Sequence, residues 1–308
     1  MLYVTMKHAC LAILVLAAAA RADEPAAVMR RFAPLILQHC HGRADYITRF
    51  DYDGNWNGRD NWQNLDKFPE PASVYASAIE GRSHWYLTYS FFHPRDWWPI
   101  DVPHINHEND LEGALVVVEK SNMRAIAMET IAHSKVLRWT SDAGLMRDGR
   151  EGPLKFDGER PIVEIKQWKH PTFAYGGDAV EKEKGILYRF KGRAEVPKSA
   201  DDHDCAYDVI DLHDSLWARR FDIGTDRTFG KAADFAMGRF GCSFNGDDYT
   251  ENSADAPWYW GADEDAGLQT GDWFFDPAKA LRAHFPGSKD RFSVDYVSNP
   301  YTVAGSRP

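Results

Sequence analysis

The stretch Trp85-Tyr86-Leu87-Thr88-Tyr89-Ser90-Phe91-Phe92 is the strongest constraint in this chain. Side chains on a strand alternate between faces, and here both alternating sets carry large apolar groups. Such a strand has to be covered on both sides. Ala114 to Val118 repeats the pattern, so the sequence predicts at least two central strands between two apolar layers. Val74–Ile79, Ser83–Phe92, Leu111–Glu119, Arg124–Thr130, Ile162–Trp168 and Gly185–Phe190 are short β-branched or aromatic runs bounded by Gly, Pro, Asp or Asn, and each reads as a strand. Helix signals are few. Pro25 to His41 carries Val28, Phe32, Leu35 and Ile36 at helical spacing, with Pro34 as a kink or a start. Asp276-Pro277 supplies an N-cap and a first-turn proline for a helix from Ala278 to Phe285. The expectation is a mainly β chain: an antiparallel β-sandwich decorated with peripheral helices and long loops. No linker or repeat divides residues 23–308, which reads as one domain.

The first residues set the expected compartment. Lys7 precedes an apolar run from Ala9 to Ala20, and Ala20-Arg21-Ala22 follows as a small-x-small cleavage site. Residues 1–22 therefore read as a signal peptide, too short in its apolar part to span a bilayer, and the chain is expected to be secreted or periplasmic. No transmembrane segment is expected in the remainder. The formal charge of −10 argues against nucleic acid and against anionic lipid as partners. It suits an exported protein or one that binds cations. Cys40, Cys205 and Cys242 remain after processing. In an oxidising compartment a Cys205–Cys242 disulfide is expected, because both lie in Asp/Gly-rich stretches while Cys40 sits on the expected helix.

Chemistry concentrates in Asn106-His107-Glu108-Asn109-Asp110-Leu111-Glu112, directly before the strand Ala114 to Val118. Period-2 alternation puts Asp110 and Glu112 on one face, and His107 lies one short turn earlier. Two carboxylates and an imidazole at this spacing fit a divalent cation. Such mixed oxygen and nitrogen donors favour Mg, Mn or Ca over Zn. Pro94-Arg95-Asp96 ends the preceding aromatic strand, so an antiparallel pair would bring Asp96 to the same end. A salt-bridged strand end without an ion is the bland alternative. His104, in the intervening loop, is a further candidate.

The segment Trp85 to Val118 resembles the central region of the necrosis- and ethylene-inducing peptide 1-like proteins (the NPP1-type necrosis-inducing superfamily). These carry an aromatic strand ending in Pro-Lys-Asp, a loop, Gly-His-Arg-His-Asp-Trp-Glu and a valine-rich strand. The corresponding residues are Pro94-Arg95-Asp96 and Asn106 to Glu112. The related vacuolar-sorting-associated family is similar too, in its own histidine–aspartate–glutamate strand and in an Ala-Pro-Trp segment like Ala256-Pro257-Trp258-Tyr259-Trp260. The resemblance implies a β-sandwich with a cation at one edge, held by Asp96, His107, Asp110 and Glu112. It departs at Glu108, Asn109 and Leu111, where the necrosis-inducing family has Arg, His and Trp.

These readings lead to a secreted, toxin-like or virulence-like divalent-metal-binding protein that recognises a carbohydrate or glycolipid head group. Trp97, Trp98, Trp258 and Trp260 are the candidate residues for stacking on a sugar ring. Two alternatives stay open: a metal-dependent hydrolase of a phosphoester or glycan, with His170 or His104 as general base, and an exported scaffold with a structural ion. Whether the chain is an enzyme is left undecided by its residues. Asp51-Tyr52-Asp53-Gly54-Asn55-Trp56-Asn57-Gly58 resembles the start of a calcium loop but has Trp56 at the glycine position, and reads as a tight Asx/Gly turn.

Overall fold

The computed structural model describes residues 24–99, 106–133, 135–146, 152–246, 254–261, 270–285, 288 and 290–302. The expected signal peptide lies outside them. In chain order the strands are β1 Leu35–Gln38, β2 Ser73–Gly81, β3 His84–Asp96, β4 His107–Glu119, β5 Arg124–Ala132, β6 Lys135–Thr140, β7 Gly152–Pro153 and β8 Phe156–Asp157. They continue with β9 Arg160–Ile165, β10 Thr172–Ala174, β11 Ile186–Phe190, β12 Cys205–Asp211, β13 Phe229–Phe235, β14 Gly238–Phe244 and β15 Tyr296–Ser298. Among the described residues four short α-helices accompany them: α1 Pro25–Arg31, α2 Asn61–Asn64, α3 Asp272–Phe275 and α4 Pro277–His284. No helix among the described residues is long and apolar enough to cross a membrane.

One large mixed sheet runs β10-β9-β1-β11-β12-β2-β3-β4-β5-β6-β7. The two long strands β3 and β4 pair antiparallel along their whole length, as the aromatic and valine-rich runs require. Their alternation divides two cores. Trp85, Leu87, Tyr89, Phe91, Ala114, Val116 and Val118 face one, with Ile36, Val163 and Tyr188 from the other half of the sheet. Tyr86, Phe92, Leu111, Leu115 and Val117 face the second, which Trp273, Phe274, Leu281, Phe244 and Trp258 cover. The β13–β14 hairpin is a separate two-stranded sheet on this second side.

The expected antiparallel sandwich is corrected. The chain is mainly β, but β10 returns against β4 and β5, so the sheet curls on itself into a half-barrel. Four of its pairings are parallel: β1 with β9, β11 with β12, β12 with β2, and β6 with β7. The curl covers one face, and α3, α4 and the β13–β14 hairpin cover the other. The helix expected over Pro25 to His41 is also shorter. It stops at Arg31, and Leu35–Gln38 becomes a fully buried strand between β9 and β11. Pro34 explains the switch: it has no N–H for a helix and disfavours the helical region for Ala33. The helix expected near the C-terminus forms, with the Asp276 side chain accepting from Lys279 N at its cap.

The Cys205–Cys242 pairing is overturned, since Cys40, Cys205 and Cys242 are all free thiols. Cys205 belongs to the core inside the curl, whereas Cys242 is on β14 of the separate hairpin. Trp258 and Trp260 are likewise corrected from sugar-stacking candidates to core residues, 0% and 4% exposed. Trp258 Nε1 donates to Gly241 O, and Trp260 fills space over β4 that only Gly113 leaves, where a Cβ would stand 2.5 Å from its ring.

A buried polar clasp holds the outer cover. Glu129 of β5, fully buried, accepts from Trp273 Nε1 at 2.8 Å and pairs with His284 Nδ1 at 2.7 Å. Glu129→Ala removes the acceptor from both α3 and α4 and is expected to cost about 3 kcal/mol. Urea unfolding measures it; a loss below about 1 kcal/mol, the size of an ordinary exposed pair, would show that the clasp does not anchor these helices.

Candidate functional site

The site stands at the end of the β3–β4 ladder. Register places Asp96 opposite His107, Arg95 opposite Glu108, His93 opposite Asp110 and Phe91 opposite Glu112. Between the second and third of these pairs the chain has Pro94 and Asn109. Asn109 takes a left-handed backbone with φ 60, uncommon for a residue inside a strand. Its side chain holds that conformation: Nδ2 donates to Gly58 O at 2.7 Å and Asn245 O at 2.6 Å, and Oδ1 accepts from Asn61 Nδ2 at 2.7 Å. The alternation of faces breaks there. Glu108 turns away to accept from Trp62 N of α2, and Arg95 stacks over the Trp62 ring at 4.2 Å. His107 and Asp96 turn the other way, toward Lys169, His170 and Asp110. Two of the three positions at which the motif departs from the necrosis-inducing pattern, Glu108 and Asn109, are thus structural ties; the third, Leu111, is a core residue.

On the near side, His107 Nε2 lies 3.4 Å from Asp96 Oδ2, and Lys169 Nζ donates to Asp96 Oδ1. His170 Nδ1 donates to Asp110 Oδ2 at 2.7 Å, and its Nε2 donates to Asp45 Oδ1 at 3.1 Å. His93 stacks flat on His170, ring centroids 3.7 Å apart and planes within 4°, and its Nε2 meets Gln38 Oε1 at 3.2 Å. Asp45, His93, Asp96, Asp110, Glu112 and His170 are all buried. Glu112 follows Asp110 by two residues on the same run of β4. Among the described residues, the group of three whose donor atoms all lie within 4.8 Å of one another is His93, Asp110 and His170. It shares Asp110 with the four ligands expected from sequence. Asp96 and His107 form their own pair beside it. His104 lies outside the described residues.

Electrostatics assigns the charges. Burial disfavours a charged His170, but hydrogen bonds to Asp110 and Asp45 outweigh it and raise its pKa to about 9. His93 goes the other way: burial and the neighbouring His170 charge hold it far below the usual histidine range, so it is neutral. Burial works against the Asp96 carboxylate, yet His107 and Lys169 keep its pKa low, while burial opposed by Asp96 leaves His107 raised. For Asp45, burial is overcome by His170 and by the backbone N–H groups of His41 and Trp168, and the pKa falls.

Beside this cluster lies an aromatic shelf. Trp98 is 41% exposed, and its ring stands 5.0 Å from that of Trp168. His41 lies 5.7 Å from Trp97 and 6.0 Å from Trp168. Trp97 N donates to Trp168 O, and Trp98 N donates to Asn106 Oδ1. The indole N–H groups of Trp97 and Trp168 are buried with no acceptor among the described residues. Trp168 and His170 both have left-handed backbones, φ 72 and φ 48, although His170 precedes Pro171. Such conformations persist only where surroundings over-determine them. Here Asp45 Oδ1 accepts from both Trp168 N and His170 Nε2. Sequence reading offered Trp97, Trp98 and His170 but missed Asp45, His93, Trp168 and Lys169. The loop from Asp51 keeps to Asx turns, with Asn55 N donating to Asp53 Oδ1 and Asn57 N to Asn55 Oδ1.

No protein-family model matches the chain, and no curated protein matches it. The chain is similar to solved structures of necrosis-inducing proteins. Necrosis and Ethylene inducing Protein 2 from the causal agent of cocoa's Witches Broom disease is 18% identical, over 51% of this chain and 74% of that one, with a TM-score of 0.35. NLPPya in complex with glucosamine and NLPPya in complex with mannosamine are each 16% identical over 77% of this chain and 85% of theirs, with TM-scores of 0.38 and 0.37. Overlaps this loose bring no chemistry with them, which the side chains of this chain must supply.

The raised pKa of His170 links stability to pH in a fixed direction. Its stabilisation is fully present below about 6.5, the value in an unfolded chain, and is lost as pH rises toward 9. In chelator, wild type is expected to lose ~3 kcal/mol between pH 6.5 and 9, and His170→Gln to lose little over that window. Urea titrations at the two pH values decide it; equal slopes for both proteins would mean that His170 is not charged in the fold.

Proposed function

We propose that this chain is an exported, toxin-like protein that holds a divalent cation at the β3–β4 end and uses it, with Trp98 and Trp168, to recognise a carbohydrate or glycolipid head group. The observation that carries this reading is a cluster of buried donor groups: atoms of His93, Asp110 and His170 lie within 4.8 Å of one another, the Asp96–His107 pair stands beside them, and Glu112 follows Asp110 by two residues on β4. Carboxylates and imidazoles gathered this closely suit a divalent ion. Without the ion, a proton on His107, whose pKa is raised, offsets part of the carboxylate charge.

The donors suit such an ion. Asp96, His107, Asp110 and Glu112 would hold it, with the neutral imidazole of His93 within reach of Asp110. Carboxylate-rich sets of this kind prefer Mg, Mn or Ca to Zn. His170 contributes by orientation: it occupies Asp110 Oδ2 and so fixes how the carboxylate faces the site. When bound, the ion would coordinate sugar hydroxyls directly. Trp98 offers an exposed face for the ring. The hydrolase reading gains no support from His170, which donates from both nitrogens and has no lone pair to take a proton at neutral pH. Export rests on the leader-like residues 1–22.

Isothermal titration with Mg, Mn and Ca tests the ion, and glucosamine and mannosamine, with and without chelator, test the sugar. Asp110→Ala and His107→Ala are expected to weaken ion binding about 100-fold or more, and Trp168→Ala to weaken sugar binding while sparing the ion. A wild-type protein that takes up none of the three ions, or that binds sugars equally well in chelator, would sink the proposal. Ion uptake that raises the melting temperature but changes no ligand binding would favour a structural ion instead.

A further inference from the structure

We propose that Asp45 is a positioning residue that couples the two halves of the site, so that the ion and a sugar stacked on Trp168 strengthen each other's binding. This rests on the reading of the site given above.

Asp45 sits in a single 3-10 turn, Arg43–Asp45, shortly after β1, and is fully buried. Its two oxygens do different work. Oδ2 accepts from His41 N at 2.7 Å and Gly42 N at 3.2 Å, which closes its own turn. A purely local role needs only that oxygen. Oδ1 reaches across to residues far along the chain, accepting from Trp168 N at 2.7 Å and His170 Nε2 at 3.1 Å. His170 in turn holds Asp110 Oδ2, and the Trp168 ring lies against Trp98 and His41. One carboxylate oxygen therefore stands between a candidate ion ligand and the stacking shelf.

The backbone makes the connection stiff. Trp168 and His170 are both held in left-handed conformations, so neither can drift without giving up a bond to Asp45. A shift of Asp110 on taking up an ion displaces the His170 ring, and the shared Oδ1 passes that displacement to the Trp168 backbone. Trp97 N, which donates to Trp168 O, moves with it. Coupling between two sites is reciprocal, so a sugar that fixes the shelf strengthens ion binding by the same factor.

The experiment measures the dissociation constant of glucosamine with saturating Mn2+ and again in EDTA, in wild type, Asp45→Asn and Glu129→Gln. The ratio of the two constants is the readout. In wild type it is expected to be about tenfold. Asp45→Asn keeps the shape but loses the full carboxylate, and its ratio is expected to fall to near one while Mn2+ still binds. Glu129→Gln perturbs a buried carboxylate in the other core and is expected to keep the wild-type ratio. A merely structural Asp45 would lower stability in both variants and leave both ratios alone. The inference is overturned if Asp45→Asn retains the ratio, or if Glu129→Gln loses it as well. Wild type decides even where a variant fails to fold: a ratio of one with both ligands bound refutes coupling alone. Wild type that binds neither probe removes the site reading and this inference with it.

Discussion

A positive charge held out of water between two carboxylates organises the functional end of this fold. His170 has no exposed surface, and an isolated imidazolium there would be far too costly to bury. Asp110 on one side and Asp45 on the other make it stable, and each carboxylate needs the ring for the same reason. The triad ties β4 to the turn after β1 and to the segment between β9 and β10, three regions far apart in sequence. The stacked His93 stays neutral so that only one of the two rings carries charge. Remove any one partner and a buried charge is stranded, which is why the left-handed backbones at Trp168 and His170 survive at this point in the chain.

The second constraint is the break in β4. A uniform strand would send residues 107 and 110 to opposite faces, since they are three apart. Asn109 reverses this with a left-handed backbone, and its amide is tied to Gly58, Asn61 and Asn245. The residues that carry chemistry therefore depend on a side chain that carries none. Glu108 serves the same end by capping α2 at Trp62 N, and Arg95 covers the Trp62 ring. What looks in the sequence like erosion of a motif is the packing that makes its spacing work.

Strands with apolar residues on both faces were legible because burial on two sides leaves no room for alternation, and β2 to β5 all appear where that pattern runs. The same pattern does not distinguish a sandwich from a curled sheet, since both cover two faces; the difference lies in parallel pairings such as β1 with β9, which leave no local mark. Leu35 and Ile36 fit a helical period by coincidence until Pro34 is read as a break. Trp258 and Trp260 sit among Asp and Gly, as sugar-binding tryptophans do, but Gly113 opens a slot in β4 that makes Trp260 a core residue. His107 and Asp110 drew attention by their spacing, and Asp96 by its place at the end of the preceding strand, which the β3–β4 register puts opposite His107. Asp45 was not legible: its partners Trp168 and His170 stand 123 and 125 residues away, and nothing around it forms a motif.

The charge states at this end also bear on whether the site binds or turns over. A general base needs a lone pair near neutral pH and a route to substrate. His170 is charged on both nitrogens, and His93 is neutral but fully buried beneath it. His107 faces Asp96 through Nε2 and the carbonyls of Glu108 and Asn109 through Nδ1, so its proton is held from both sides. No described imidazole in the cluster is both free to accept and open to solvent. The aromatic shelf has the opposite character, with an exposed Trp98. Rigid, charged donors beside an exposed Trp98 face suit holding a polar ligand in one pose.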